Sequence, residues 1–161
     1  MTGKVFVNRE DDYASVFSNV EIRQGETILV FTDVEFIHSP SRFSLQVDVD
    51  LHIDVKQEKL AANPDSYLWR YLNHSCNPNC YFEPGTLSLI ALKDIPQNEE
   101  LTINYLFTEA EMAHPFVCSC GETGCYGEIR GFNFHKNKEV LRELPYLANH
   151  LKQLKKMQVM H

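Results

Sequence analysis

The sequence predicts a mainly β domain assembled from small sheets and closed by a short helical tail. Short runs rich in β-branched and aromatic residues, broken by Gly, Pro, Asn and Ser, fill the first two thirds of the chain. Helical spacing of apolar residues is confined to the end, so strands and helices do not alternate as βαβ units require.

Residues 4–7, 20–22, 27–31 and 44–55 read as strands, punctuated by Gln24-Gly-Glu26 and Ser39-Pro-Ser41. Alternation within 46–55 places Val47, Val49, Leu51, Ile53 and Val55 on a core face. Asp48, Asp50, His52 and Asp54 then share an opposite, solvated face. Residues 87–92 and 101–105 read as two further strands around a turn at Asp94-Ile-Pro-Gln-Asn98, a hairpin-like unit with Tyr105 at its far end. Residues 137–144 and 145–157 read as helices, with Pro145 suited to a first helical turn. Leu147, Leu151 and Leu154 recur at helical spacing and give the tail a face to pack on the domain.

A chain of 161 residues is long enough for one domain that buries roughly two thirds of its unfolded surface, and no repeat or linker suggests two. Its formal charge of -7 speaks against broad nucleic-acid binding by phosphate neutralisation and suits a basic partner. The first residues lack an apolar signal stretch, and no run approaches the ~20 apolar residues of a membrane span. These features predict an intracellular protein with no membrane partner, cytoplasmic with a nuclear place left open.

Five cysteines in an intracellular chain favour thiols or metal ligands over disulfides. Cys118, Cys120 and Cys125 form Cys-x-Cys-x4-Cys, and Gly121 and Gly124 permit turns that aim three thiolates inward. Tetrahedral zinc needs a fourth ligand, which Cys76 or Cys80 can supply, with His74 and His114 as further candidates. A zinc ion held by four thiolates has no open position and is structural.

Three ordered motifs make the chain similar to the SET-domain lysine methyltransferases. The family's Arg-Phe-Ile-Asn-His-Ser-Cys-x-Pro-Asn stands here as Arg70-Tyr-Leu-Asn-His-Ser-Cys-Asn-Pro-Asn79, and its Glu-Leu-Thr-x-Asp-Tyr as Glu100-Leu-Thr-Ile-Asn-Tyr105. Cys118, Cys120 and Cys125 match its post-SET cysteines. The resemblance covers residues 5–132. It implies small curved sheets in which the C-terminal segment threads under a preceding loop as a pseudoknot. The expected organisation is a SET domain at 1–115 and a zinc-binding post-SET segment at 116–132, both from the resemblance, and a helical tail at 133–161, from the spacing of its leucines.

By that resemblance the chain transfers a methyl group from S-adenosyl-L-methionine to a lysine side chain of a basic protein or peptide. Tyr105 is implied as the catalytic residue, Ser15, Arg70, Asn73 and His74 as the cofactor-binding residues, and Cys76 as the fourth ligand of a structural zinc beside Cys118, Cys120 and Cys125. Cys80 is then spare. Ile103 stands where the family often has Phe or Tyr; lacking a hydroxyl, it implies that a lysine can be methylated more than once.

Two departures accompany the resemblance. The family's Gly-x-Gly aligns with Tyr13-Ala-Ser-Val-Phe-Ser18, placing Tyr13 and Ser15 in the glycine positions and implying a modified cofactor loop. Asn104 replaces the usual Asp, losing a charge but keeping an acceptor. The same features admit two alternatives: methyl transfer to a small-molecule amine, or a non-catalytic zinc-stabilised interaction module.

Overall fold

A computed structural model describes residues 3–159; Met1, Thr2, Met160 and His161, which belong to the expected first and last segments, lie outside the described residues. The chain runs through β1 (Val5–Glu10), β2 (Tyr13–Ser18), β3 (Thr27–Val30), β4 (Glu35–Ile37), β5 (Leu45–Asp48), β6 (Leu51–Asp54) and a short helix α1 (Gln57–Ala62). It continues through β7 (Asn73–His74), β8 (Cys80–Glu83), β9 (Ser88–Ala91), β10 (Thr102–Ile103), β11 (Phe116–Val117), β12 (Glu128–Ile129), α2 (Lys138–Arg142) and α3 (Asn149–Val159). The described strands form five small sheets: β1-β2, β3-β9-β8, β4-β6-β5, a parallel pair β7-β10, and β11-β12.

Two apolar clusters hold these sheets together. In the first, Phe31 stacks between Trp69 and Phe82 at centroid distances of 5.1 and 5.0 Å, beside Ile53, Leu89, Leu101 and Ile103. Offset stacking of this kind adds to the burial of three large rings. The second gathers Leu106 and Phe107 with Ile129 and Phe132 and with Leu141, Leu147 and Leu151 of the tail. Leu147 and Leu151 are both buried there, although Leu147 precedes α3 and only Leu151 lies on the helix. The tail backbone joins in as well: Ala148 N–H donates to Phe107 O at 2.9 Å, and a His150 ring nitrogen lies 2.6 Å from Thr108 O.

Several sequence readings differ from the structure. Residues 44–55 are a hairpin, not one strand. Gln46 Nε2 donates to the carbonyls of Asp48 and Val49, and Asp48 Oδ1 accepts the Val49 N–H. Such side-chain to backbone bonds stabilise a turn against extension. Reversal at the turn breaks the two-residue alternation, so Val49 is exposed whereas His52 and Asp54, expected in solvent, are buried.

The 87–92 and 101–105 segments do not pair with each other either. β9 lies between β3 and β8, and β10 runs parallel to β7. The intervening residues are held by the first hairpin: Ser18 Oγ donates to Pro96 O at 2.6 Å, and Ile22 and Ile95 exchange backbone bonds of 2.9 and 2.8 Å. That single exchange is also all that forms at 20–22. In the tail, Pro145 lies in the connection before α3 and not in its first turn. The sequence reading assigned no strand at β2, β4, β7, β8, β11 or β12.

Segments 109–112 and 130–133 run against each other through Phe132 N–H to Glu109 O, Asn133 N–H to Ala110 O and Met112 N–H to Arg130 O, at 2.8, 3.0 and 2.9 Å. Gly131 permits this approach. Its φ is 114°, and a Cβ there would meet Ala110 O and Glu111 Cα at 2.6 Å. Gly131→Ala is therefore expected to destabilise the fold by about 1–3 kcal/mol, read as a lowered urea midpoint. An unchanged midpoint would show that the crossing yields freely.

Candidate functional site

Asn79 pins together two segments that are distant in sequence. Its Nδ2 donates to Glu100 O at 2.8 Å and Glu99 Oε1 at 3.1 Å, while its Oδ1 accepts the Thr102 N–H at 2.9 Å. With all its polar atoms engaged, this buried amide fixes the register in which β10 lies beside β7, Thr102 opposite Asn73 and Ile103 opposite His74. Parallel strands need a long crossover, here supplied by the β8–β9 hairpin.

Beyond β10 the chain turns at Tyr105–Phe107. Asn104 caps the turn, its Oδ1 accepting the Leu106 N–H at 3.0 Å, so the acceptor that replaces the family's Asp is in use. The Tyr105 hydroxyl donates to Leu72 O at 2.7 Å and its N–H donates to His74 Nδ1 at 3.1 Å. Burial holds the Tyr105 phenol protonated, well above its ordinary range, and pushes the His74 imidazole down to about 4, so the ring is neutral.

Asn73 faces the other way. Its Nδ2 lies within 3.0–3.2 Å of Glu100 Oε1, Ala14 O and Ser15 Oγ, joining β2 to the crossing. Tyr13 and Ser15 are ordinary strand residues of β2, paired with Glu10 and Asn8. The positive φ of this hairpin falls on Asp11, at 52°, so the absent glycines cost no backbone strain. Tyr13 is 60% exposed.

These groups line a cleft of about 950 Å³ bounded by Tyr13, Ala14, Arg70, Asn73, His74 and Tyr105, and on its far side by residues 112–120. Ser15 is buried behind the wall and reaches the cleft only through Asn73. Arg70 lines it with a committed head group: Nε donates to Asp54 Oδ1 at 2.9 Å and the guanidinium lies 4.7 Å from the Phe43 centroid. Asp54 in turn accepts the Ser41 hydroxyl at 2.6 Å, tying the 39–44 loop to the cleft wall. Glu109, which also lines the cleft, is pushed up to about 7 by burial, although it accepts the Gln46 N–H and the Thr108 hydroxyl.

Beside the cleft the Sγ atoms of Cys76, Cys118, Cys120 and Cys125 lie within 4.8 Å of one another. Cys76 Sγ is 3.8 Å from Cys118 Sγ and 4.0 Å from Cys125 Sγ. Four sulfurs at the Zn–S bond length around a tetrahedral ion stand about 3.8 Å apart, so the donor set fits structural zinc. Backbone N–H groups of Tyr126 and Cys120 point at the sulfurs of Cys76 and Cys118, at 3.3 and 3.4 Å, as thiolate acceptors require. Cys80 is buried apart from the group, its thiol pushed up to about 12 by burial, and neither His74 nor His114 belongs to it.

The SET domain family matches residues 14–106, more than half of the chain. The chain belongs to the SET-domain family. Curated relatives of this SET chain include the H3 lysine-36 specific histone-lysine N-methyltransferase of Aspergillus oryzae, 39% identical over 82 residues, or 47% of this chain and 8% of that protein. Another is the histone-lysine N-methyltransferase SETD1 of Drosophila melanogaster, 33% identical over 61% of this chain and 6% of the relative. Methyltransferase flvH of Aspergillus flavus is 41% identical over 38% of this chain and 35% of its own length. The chain thus spans a small part of the relatives it matches. Among solved structures, KRYPTONITE in complex with mCHG DNA and SAH superposes with a TM-score of 0.58 at 20% identity, covering 80% of this chain and 29% of that one. The SET-domain fold is common to both.

Sequence reasoning did not single out Asn79, Asp54, Glu109 or the Leu72 carbonyl. Asn79 closes the first motif and was legible there; the others act through partners far away in sequence. Loading the native chain is expected to give one zinc per chain, retained in Cys80→Ala and lost in Cys118→Ala, by metal analysis after dialysis. Loss of zinc in Cys80→Ala would move the spare cysteine into the ligand set.

Proposed function

We propose that the chain is a methyltransferase that carries a methyl group from S-adenosyl-L-methionine to a lysine side chain of a protein or peptide. The observation that carries this reading is the Tyr105 hydroxyl locked onto Leu72 O in the cleft wall that Asn73 and His74 also line. The names of the A. oryzae and Drosophila relatives, and the SAH in the KRYPTONITE complex, support donor and acceptor class.

When bound, S-adenosyl-L-methionine supplies an electrophilic sulfonium methyl group. What the chain must add is a neutral amine held in line, which is positioning and desolvation more than covalent chemistry. Because the Tyr105 proton is committed to Leu72 O, its oxygen is free to accept from an entering amine. Trp69 and Phe116 line the cleft with apolar groups, Phe116 edge-on to the Tyr105 ring, and desolvation there disfavours the substrate ammonium and promotes release of its proton. Asn73 and His74 form the cofactor wall directly. Ser15 orients Asn73, and Arg70 holds the 39–44 loop through Asp54.

Cys76, Cys118, Cys120 and Cys125 would hold zinc as a structural ion, fastening segment 116–132 over the cleft. The division into 1–115, 116–132 and 133–161 is then one of role: cleft, metal-held cover, and a tail that braces the Tyr105 turn. The formal charge of -7 fits a basic substrate and gives no support to direct nucleic-acid binding. Among the described residues no helix is long and apolar enough to cross a membrane, and the histone-directed names of the relatives favour a nuclear place within the expected intracellular setting.

A transfer assay with labelled cofactor and lysine-bearing basic peptides tests this reading. Activity on peptide is expected, with products carrying more than one methyl by mass spectrometry because Ile103 offers no hydroxyl. Tyr105→Phe is expected to lose at least about 100-fold in kcat with unchanged zinc content. Undiminished turnover in that variant would remove Tyr105 from the chemistry, and transfer to small amines alone would favour the small-molecule alternative.

A further inference from the structure

His74 touches both halves of the site at once. Its Nδ1 accepts the Tyr105 N–H at 3.1 Å and so bears no proton, which assigns the ring N–H to Nε2. Nε2 lies 3.4 Å from Cys76 Sγ. Among the described residues the other N–H on that sulfur is the backbone amide of Tyr126 at 3.3 Å, so His74 supplies the side-chain N–H to this member of the cluster. Packing fixes the ring as well as its bonds: His74 lies 5.2 Å from the Tyr105 ring and edge-on to Phe116 at 5.7 Å, and Tyr105 itself is edge-on to Phe116 at 5.9 Å. Phe116 begins the cysteine-bearing segment.

We infer that His74 is a positioning residue that ties the Cys76 thiolate of the metal centre to the backbone of Tyr105. A thiol is a poor acceptor; a metal-bound thiolate is a good one, and hydrogen bonds to ligand atoms tune and orient metal centres. Metal binding strengthens the Nε2–H···S bond and holds the imidazole plane. That plane in turn fixes the amide of Tyr105 and, through it, the direction of the phenol. Cofactor contact, metal retention and placement of Tyr105 are in this way linked through one ring, which the motif Asn73-His-Ser-Cys76 builds by spacing His and Cys two residues apart.

The inference rests on the four-thiolate reading of the cluster, and cobalt separates the two. The full chain and its His74→Phe variant are loaded with Co²⁺ and their sulfur-to-cobalt charge-transfer bands compared. Removing a hydrogen bond raises the energy of the sulfur lone pair. The band is therefore expected to move to longer wavelength in His74→Phe, with metal affinity about 10-fold weaker by chelator competition. A band and affinity unchanged by the substitution would overturn the His74 link while leaving the cluster intact. Failure of the native chain to bind cobalt through thiolates would overturn the cluster and the link together. Should His74→Phe not fold, the native chain loaded with spin-half cadmium decides: an imidazole N–H proton with scalar coupling to the metal through sulfur is expected, and its absence overturns the inference.

Discussion

The structure depends on one crossing, in which Asn79 holds residues 99–102 so that β10 lies parallel to β7. A two-residue parallel pair contributes little by itself, because parallel ladders need neighbours and a crossover to persist. The buried amide changes that balance. It donates to the Glu100 carbonyl and accepts the Thr102 N–H, and either backbone group left unpaired in the interior would cost about 1–3 kcal/mol. Once the crossing is set, Asn73 faces β2, His74 faces Tyr105, and Cys76 emerges on the side where the cysteine-rich segment arrives.

Metal binding and the second apolar cluster then act on the same piece of chain from opposite sides. Cys118, Cys120 and Cys125 draw residues 116–126 towards Cys76, while Ile129, Phe132 and the tail leucines pack against Leu106 and Phe107 just beyond Tyr105. Gly131 lets the returning strand pass within contact of Ala110. Tyr105 is consequently braced by its own bond to Leu72, by His74, and by a turn whose following carbonyls accept from Ala148 and lie on His150. Residues 112–120 border the cleft and carry two of the four cysteines, so zinc held there would act on the same wall that faces the cofactor.

Local chemistry was legible in the sequence wherever a residue type has few other uses. Three cysteines with two intervening glycines announced a metal segment, and the paired motifs around Asn73 and Tyr105 announced the cleft. Strand content was legible from β-branched runs, though partners were not: 44–55 alternates perfectly, yet Gln46 and Asp48 bond the backbone of their own turn and fold it back. Arg70 carries no mark of its bond to Asp54, nor Ser15 of its burial behind Asn73, because both are set by contacts 16 and 58 residues apart. Tyr13 in a glycine position looked like a backbone obstacle; the hairpin turn at Asp11 absorbs the positive φ and leaves only its side chain at the cleft.

Calorimetric titration of S-adenosylhomocysteine into zinc-replete, zinc-stripped and reloaded protein tests most directly whether crossing and metal together build the cleft. Binding on the order of micromolar in the replete chain, lost on stripping and restored on reloading while β circular dichroism persists, is the expected result. Equal affinity with and without zinc, or no binding by the replete chain, would contradict it.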